Sequence, residues 1–190
     1  MERSVKFMSI SGVAGILAGT FALVGAAATW KILYNFDDGP VHNSSPNESG
    51  IVVAQVLIIA VSVLILSLGT GILMSVRKAR RLQQHIWNPA SRLLLMMVAI
   101  PLIAGGLISL ILLSRGFYAL IAPSLLIFYG LALVAGSPYT FREIRWLGLI
   151  EVVLGLLAAL LPECGLLLWT IGFGVLHIVY GSIMYYKYEK

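Results

Sequence analysis

Six long apolar stretches, separated by short polar connections, make up most of this 190-residue sequence. About 20 consecutive apolar residues are enough for a helix to cross the hydrocarbon core of a bilayer. Only 11% of the residues are charged, whereas soluble domains have about a quarter. The sequence therefore predicts a single all-helical membrane domain with six transmembrane helices, arranged as three hairpins. The predicted helices cover residues 8–34, 51–76, 89–113, 117–136, 141–161 and 165–186, and a polar loop covers residues 35–50.

The distribution of cations predicts the orientation. With six spans, both termini lie on the same side of the membrane, and that side carries most of the Lys and Arg residues. Because loops rich in Lys and Arg stay in the cytoplasm, we predict an integral protein of the cell (inner) membrane with both termini cytoplasmic and the loop 35–50 outside. The cytoplasmic cations are Arg3, Lys6, Arg77, Lys78, Arg80, Arg81, Arg92, Arg142, Arg145, Lys187 and Lys190, and the opposite side has Lys31 and Arg115.

The densest group of cations is the segment 77–81, directly after the second predicted helix. Such a group sets the topology, and it can also attract anionic lipid head groups by about 1 kcal/mol per cation. The lipid bilayer is thus the predicted partner. Because the cytoplasmic cations account for the net charge of +5, nucleic-acid binding is not predicted. The four cations of the segment are Arg77, Lys78, Arg80 and Arg81.

Two titratable residues lie inside the predicted fifth and sixth helices. Glu151 and His177 are about equally far from the turn that joins these helices at residues 162–165, so both lie at the same depth in the membrane. A carboxylate in the middle of a bilayer costs about 2.5–3.5 kcal/mol on insertion scales. A buried Glu151 therefore indicates a structural or functional role for this side chain. Whether the two side chains face each other depends on helix rotation, which spacing does not determine.

Three interpretations of Glu151 and His177 remain open at the level of sequence. The pair can be a hydrogen-bonded contact that fixes the register between two helices. It can be a proton or cation relay, in which both groups titrate as one coupled unit. It can also bind a ligand such as a lipid or quinone head group. Further polar residues that could assist the pair are Tyr129, Tyr180 and Gln55.

Small residues recur at helical spacing and predict close helix contacts. Gly15 and Gly19 form a GxxxG pair in the first helix, which can pack inside the monomer or form the interface of a homo-oligomer. Four other glycines lie three or four residues from Glu151 and His177, and this favours a close approach of the last two helices at the polar pair. These four are Gly148, Gly155, Gly174 and Gly181.

The residues 140–143 have the form of a capping box. In this motif the hydroxyl of Thr140 and the carboxylate of Glu143 each accept a hydrogen bond from a free backbone N–H at the helix start. The pattern predicts that the fifth helix starts here and that Glu143 is structural.

The sequence contains no motif for catalysis or for metal binding. It lacks the Gly-x-Ser and His-Glu-x-x-His patterns of membrane serine and zinc proteases, and only one His lies within a predicted span. The polar loop contains acidic residues and one His, but without the ordered spacing of a calcium loop. We therefore predict a protein that is not an enzyme and has no cofactor and no metal site. The loop residues are Asp37, Asp38, His42 and Glu48.

The third and fourth helices resemble the fifth and sixth. Gly106, Gly116 and Tyr129-Gly130 align with Gly155, Gly165 and Tyr180-Gly181, which predicts a parallel internal repeat. Such repeats are frequent in transporters. At the positions that correspond to Glu151 and His177, the other hairpin has Leu102 and Leu126, so the polar pair is specific to one hairpin.

Three hairpins with cytoplasmic ends, a Gly-apolar-Pro/Gly turn at residues 155–162 and a closing Tyr180-Gly181 resemble the HdeD-type acid-resistance membrane proteins. The resemblance is one of architecture over most of the chain. It implies a role in envelope stress or acid tolerance, and it assigns no functional residue.

Two functions are consistent with these features. The first is a small proton-linked transporter, channel or stress-response membrane factor centred on Glu151 and His177. The alternative is a non-catalytic membrane scaffold or partner subunit, in which the pair only stabilises helix packing.

Overall fold

A computed structural model of the chain describes residues 12–34, 46–81, 83, 87 and 89–188. The described residues form helices joined by short turns, with no β-strand among them. Five helical segments have the length and apolar composition of membrane spans, which agrees with the prediction of an all-helical membrane protein. These segments are Gly12–Leu33, Gly50–Arg81, Pro89–Ser114, Tyr118–Tyr139 and Pro162–Tyr188.

The described helices follow one another along the chain with short connections, and their arrangement as three hairpins stays a prediction. Their bounds are α1 Gly12–Tyr34, α2 Pro46–Arg81, α3 Pro89–Ser114, α4 Ile121–Gly136, α5 Glu143–Leu160, α6 Gly165–Trp169 and α7 His177–Tyr188. A π-helical segment, Thr170–Leu176, joins α6 to α7, and we call α6, this segment and α7 together the last helix.

α2 is longer than predicted at both ends. It includes residues 46–50 of the predicted loop, and it continues through the basic segment 77–81. Asp37, Asp38 and His42, considered above as cation ligands, lie outside the described residues.

α5 is not among the five spans that composition supports. It is 18 residues long, but it contains the three charged residues Glu143, Arg145 and Glu151. The number of spans, their orientation and the location of the termini therefore stay predictions.

The predicted capping box at residues 140–143 is wrong. α5 begins at Glu143, and no side chain caps its first turn. The hydroxyl of Thr140 instead accepts a hydrogen bond from the neighbouring N–H of Phe141. A 3-10 turn at residues 137–139 directs the chain into an extended conformation at Thr140, too far from the helix start to cap it. The Glu143 carboxylate is thus free to bind other groups.

The last helix contacts both α1 and α5. Its contact with α1 runs along α7 and the π-helical segment, and its contact with α5 is mainly through α6 and the π-helical segment. α2 packs chiefly against α1, and α3 packs chiefly against α4. The contact with α1 runs along glycines. A Cβ atom on Gly19 would lie 2.5 Å from the carbonyl oxygen of Gly174, and a Cβ atom on Gly15 would lie 3.1 Å from the Cα of Gly181. The GxxxG pair of α1 therefore packs inside the monomer.

Small residues also bring α4 and α5 together. A Cβ atom on Gly148 would lie 2.6 Å from the carbonyl oxygen of Gly130, and one on Gly155 would lie 2.6 Å from the side chain of Ile127. The expectation that these glycines mark the contact between α5 and the last helix is wrong, because those of α5 face α4 and those of the last helix face α1. A glycine stripe permits close approach to any neighbour and does not specify which one.

The predicted internal repeat is not confirmed by these contacts. Gly155 packs tightly against α4. A Cβ atom on its counterpart Gly106 would have no atom of a neighbouring helix within 4 Å. Gly116 has a left-handed backbone with φ of 77°, whereas its counterpart Gly165 has a right-handed helical φ of −54°. The aligned positions therefore have different structural roles.

Candidate functional site: a buried polar triad

Three polar side chains from three helices meet inside the protein. Tyr129 belongs to α4, Glu151 belongs to α5, and His177 is the first residue of α7. Glu151 is 0% exposed and His177 is 6% exposed, although both lie in strongly apolar segments. The Nδ1 atom of His177 lies 3.6 Å from Oε1 of Glu151, so the two residues predicted to share a depth also face each other. We call Tyr129, His177 and Glu151 the polar triad.

Hydrogen bonds determine which nitrogen of His177 carries the proton. Nδ1 lies 2.9 Å from the carbonyl oxygen of Gly172, which can only accept a hydrogen bond, so Nδ1 donates. In the neutral ring Nε2 is then an acceptor, and it lies 2.7 Å from the hydroxyl of Tyr129, which donates to it. The imidazole is thus oriented by one bond within its own helix and by one bond to α4.

The π-helical segment brings α5 and the last helix together at Gly172. A Cβ atom there would lie 2.5 Å from Oε2 of Glu151 and 2.7 Å from the side chain of Leu126. Only glycine leaves room for the carboxyl group at this position. Short π-helical segments within α-helices occur frequently at functional sites, and the sequence gives no direct signal for this one.

The carboxyl group of Glu151 has no hydrogen-bond partner among the described residues. Its separation of 3.6 Å from Nδ1 is too long for a hydrogen bond, and the proton on Nδ1 is directed at Gly172. Buried polar atoms in proteins are nearly always hydrogen-bonded. A carboxyl group whose purpose is to hold two helices together should therefore be bonded, which Glu151 is not.

Aromatic rings cover the triad on the side of the Pro162 turn. The ring of Phe173 stacks on His177 with a centroid distance of 5.7 Å, and it lies 4.8 Å from the ring of Tyr129. Trp169 extends this stack, with its ring 5.1 Å from Phe173. Sequence analysis missed Phe173, because one aromatic residue in an apolar helix is not distinctive.

Beyond Trp169 lies an apolar crevice of about 440 Å³. Its walls come from α1, α2, α4 and the start of the last helix, and it includes Trp169 and Glu163. Phe173 lies between Trp169 and the triad. The triad is thus separated from this crevice by aromatic rings.

Of the three residues predicted to assist the pair, only Tyr129 joins it. Gln55 lies exposed on α2, which packs chiefly against α1. Tyr180 lies three residues after His177, and its hydroxyl is buried without a hydrogen-bond partner among the described residues. The basic cluster at the end of α2 belongs to the last turn of that helix and not to the site.

A second interaction, the ion pair of Glu143 and Lys187, joins α5 to the last helix near the start of α5 and the end of α7. Oε1 of Glu143 accepts hydrogen bonds from the ammonium group of Lys187 and, at 3.0 Å, from the hydroxyl of Tyr188. The side chains of Glu143 and Lys187 are 25% and 55% exposed. The hydrogen bond from Lys187 keeps the pKa of Glu143 below its ordinary value.

The donor atoms of the triad do not amount to a metal site. Structural and catalytic zinc sites use three or four protein ligands, and the triad offers one carboxylate and one imidazole. Within the part of the chain that the structure describes, no three His, Cys, Asp or Glu residues lie together.

No protein-family model matches the chain, and searches of curated proteins and of solved structures return no match either.

Proposed function

We propose that the protein is a proton-linked membrane transporter or channel in which the polar triad binds and transfers a proton. The observation that carries this proposal is the carboxyl group of Glu151, which is completely buried, lies 3.6 Å from an imidazole nitrogen and has no hydrogen-bond partner among the described residues. Ionisable groups inside membrane spans are rare and mark proton and ion pathways in pumps and transporters.

The geometry of His177 supports a relay across its ring. A proton that reaches Nε2 from the side of Tyr129 converts the neutral ring into an imidazolium. The imidazolium then gives up the proton on Nδ1 to the carboxylate of Glu151, after a small rotation that moves Nδ1 from Gly172 towards Oε1. The products are a neutral carboxylic acid and a neutral imidazole protonated on Nε2, for which the oxygen of Tyr129 is an acceptor.

Proton uptake and transfer remove a lone charge from the apolar interior. The starting state, a neutral imidazole beside the carboxylate of Glu151, carries one negative charge. The imidazolium–carboxylate pair has no net charge, and after the transfer both groups are uncharged. Since a single buried charge is far more costly than a pair, each group controls the protonation of the other. Loss of either group should therefore stop transfer.

The alternative function is a membrane scaffold, and one observation favours it. The hydrogen-bonded chain from Tyr129 through His177 to Gly172 connects α4 to the last helix and has no missing partner. In a scaffold this chain would fix the register of the helices. It leaves Glu151 without a role, and for this reason we place the relay first.

The resemblance to HdeD-type proteins suggests a biological setting. We propose that proton transfer through the triad serves acid tolerance or envelope stress. This extension rests on the resemblance alone, and a growth assay at low pH with wild-type and Glu151→Gln protein tests it separately.

Proton flux into proteoliposomes tests the proposed relay. The variants are Glu151→Gln, which removes ionisation but keeps the shape, and Glu163→Gln, which makes the same change at an exposed position in the Pro162 turn. We expect flux from the wild type and from Glu163→Gln, and a loss of at least about a hundredfold in Glu151→Gln, since proton transfer by a positioned group contributes about that much or more.

Thermal unfolding in detergent accompanies the flux assay. A Glu151→Gln protein that is as stable as wild type but inactive supports the relay and excludes the scaffold interpretation. Absence of flux from the wild type, together with a less stable Glu151→Gln protein, would make the triad structural.

A further inference from the structure

We infer that Tyr180 and Glu143 form the route by which protons travel between the polar triad and the Lys187 end of the protein. This inference rests on the proposed relay and adds the residues that connect it to water. It starts from two buried polar atoms that the triad does not use, the hydroxyl of Tyr180 and Oε2 of Glu143, neither of which has a hydrogen-bond partner among the described residues.

Tyr180 has the right location for an intermediate group. It follows His177 by three residues on the last helix, which places it on a neighbouring face and about 4.5 Å closer to the Lys187 end. Its ring packs against the cluster that includes Phe141 and Ile144, the residues on either side of Glu143 in the α5 region. Tyr180 therefore belongs to the same helix as His177 of the triad and contacts the neighbourhood of Glu143.

The two carboxyl oxygens of Glu143 have different surroundings. Oε1 binds Lys187 and Tyr188 at the partly exposed surface, whereas Oε2 is buried. Two exposed cations lie close to it in sequence, Arg142 directly before α5 and Arg145 in its first turn. A carboxylate in this position can take up a proton from water and pass it inward, or do the reverse.

Apolar side chains pack around Tyr180. Tyr180 packs against a cluster formed by Phe141 and Ile144 of α5 and by Met184 of α7, with Leu133 of α4 beside it. The side chain of Tyr180 is partly exposed, but its hydroxyl oxygen is buried. A polar atom held in this way has a partner only if water enters or if another group moves, and both allow proton exchange.

The opposite direction offers no equivalent route among the described residues. Towards the Pro162 turn the triad meets the rings of Phe173 and Trp169 and then the apolar crevice. The hydroxyl of Thr170 in this region donates to the carbonyl oxygen of Leu166 in its own helix. The side chains therefore support proton exchange at the Lys187 end, and flux across the membrane requires the rings of Phe173 and Trp169 to move during the cycle.

The chemistry of the route needs no cofactor. A phenol passes a proton by donating its own hydrogen to one neighbour while its oxygen accepts a hydrogen from another. The proposed route includes water molecules that bridge Tyr180 to Glu143 and to Tyr129. Each hydroxyl and each carboxylate is restored after one proton has passed, so charge and atoms balance.

The variant Tyr180→Phe tests the route in the same proteoliposomes. The matched control is Tyr185→Phe, which removes the same hydroxyl from an exposed tyrosine on the same helix. We expect flux to fall at least about tenfold in Tyr180→Phe and to be unchanged in Tyr185→Phe. If Tyr180→Phe conducts like wild type while Glu151→Gln does not, the route is wrong and the relay stands. If the wild type shows no flux, both proposals fail.

Infrared spectroscopy gives a second test that does not depend on transport. The carboxylic acid band that disappears in Glu151→Gln reports the proton on Glu151, and its shift after transfer to D2O reports exchange with water. We expect slower exchange in Tyr180→Phe than in Tyr185→Phe. Equal exchange rates in folded samples of both variants would overturn the route.

Discussion

Two carboxylates of α5 face the last helix, and their surroundings differ completely. Glu143 is 25% exposed and binds Lys187 and Tyr188, whereas Glu151 lies two turns further along the same helix, fully buried and without a hydrogen bond. The partner of Glu143 is a flexible ammonium group. The neighbour of Glu151 is an imidazole whose two nitrogens are already engaged.

The difference shows how depth decides the role of a carboxylate. Near water, an ion pair contributes little to stability, because solvent screens both charges and competes for them. Inside apolar surroundings an unpaired charge is expensive, so the group must change its protonation or bind a proton donor. Glu143 is thus suited to exchange protons with water, and Glu151 is suited to hold one.

The largest effect should come from removing the imidazole. His177→Ala deletes the hydrogen-bond partner of both the Tyr129 hydroxyl and the Gly172 carbonyl, and we expect the free energy of unfolding to fall by about 2–4 kcal/mol. The control on the same helix, Lys187→Ala, should cost much less, because its ammonium group is exposed to solvent, which screens the ion pair. Equilibrium unfolding in detergent measures the stability of both variants. Equal losses would contradict the distinction between the buried pair Glu151–His177 and the exposed pair Glu143–Lys187.

A smaller effect is expected from Gly172→Ala. The added methyl group would lie 2.5 Å from Glu151 and 2.7 Å from Leu126, and overpacking of this kind costs about 1–3 kcal/mol. Gly106→Ala is the matched control, because a Cβ atom at Gly106 has no atom within 4 Å. We expect the control to be neutral or slightly stabilising in thermal unfolding. A Gly172→Ala protein as stable as the control would show that the contact at the π-helical segment is loose.

The smallest effect concerns the pH dependence of Glu143. Its pKa is lowered in the folded protein by the hydrogen bond from Lys187, so its contribution to stability is present above the unfolded pKa of about 4.3 and is lost as the pH falls through the folded pKa. We expect at most about 1 kcal/mol, since the pair is partly exposed. Acid titration of wild-type and Glu143→Gln protein measures it. If the stability of the wild type and of Glu143→Gln changed with pH in parallel over this range, the pH dependence would not come from Glu143.

Much of the polar centre could be predicted from the sequence, because charged residues are conspicuous in apolar helices. Counting residues from the turn placed Glu151 and His177 at one depth, and the structure brings them within 3.6 Å. Counting along a helix gives depth but not rotation. The bond between Tyr129 and His177 and the contact at Gly172 depend on rotation and on a local π-helical segment, which no residue pattern announces.

Local patterns failed where tertiary structure decided the outcome. Thr140 and Glu143 have the spacing of a capping box, but the turn at residues 137–139 shifts the helix start, and Lys187 and Tyr188 attract the carboxylate. The glycines of α5 and of the last helix correctly indicated close approach and incorrectly indicated the neighbour. Small residues carry no information about which of several helices will occupy the groove they create.

The packing of α1 against the last helix has a consequence for the order of events during synthesis. α1 precedes the last helix in the sequence, so α1 leaves the ribosome before its partner does, and its glycine face can pack only once α7 has been made. Until then the grooves at Gly15 and Gly19 meet lipid or the insertion machinery, and Glu151 has no imidazole beside it. The nascent chain therefore carries two unsatisfied surfaces in the membrane at once, and a single late step, the docking of the last helix, resolves both.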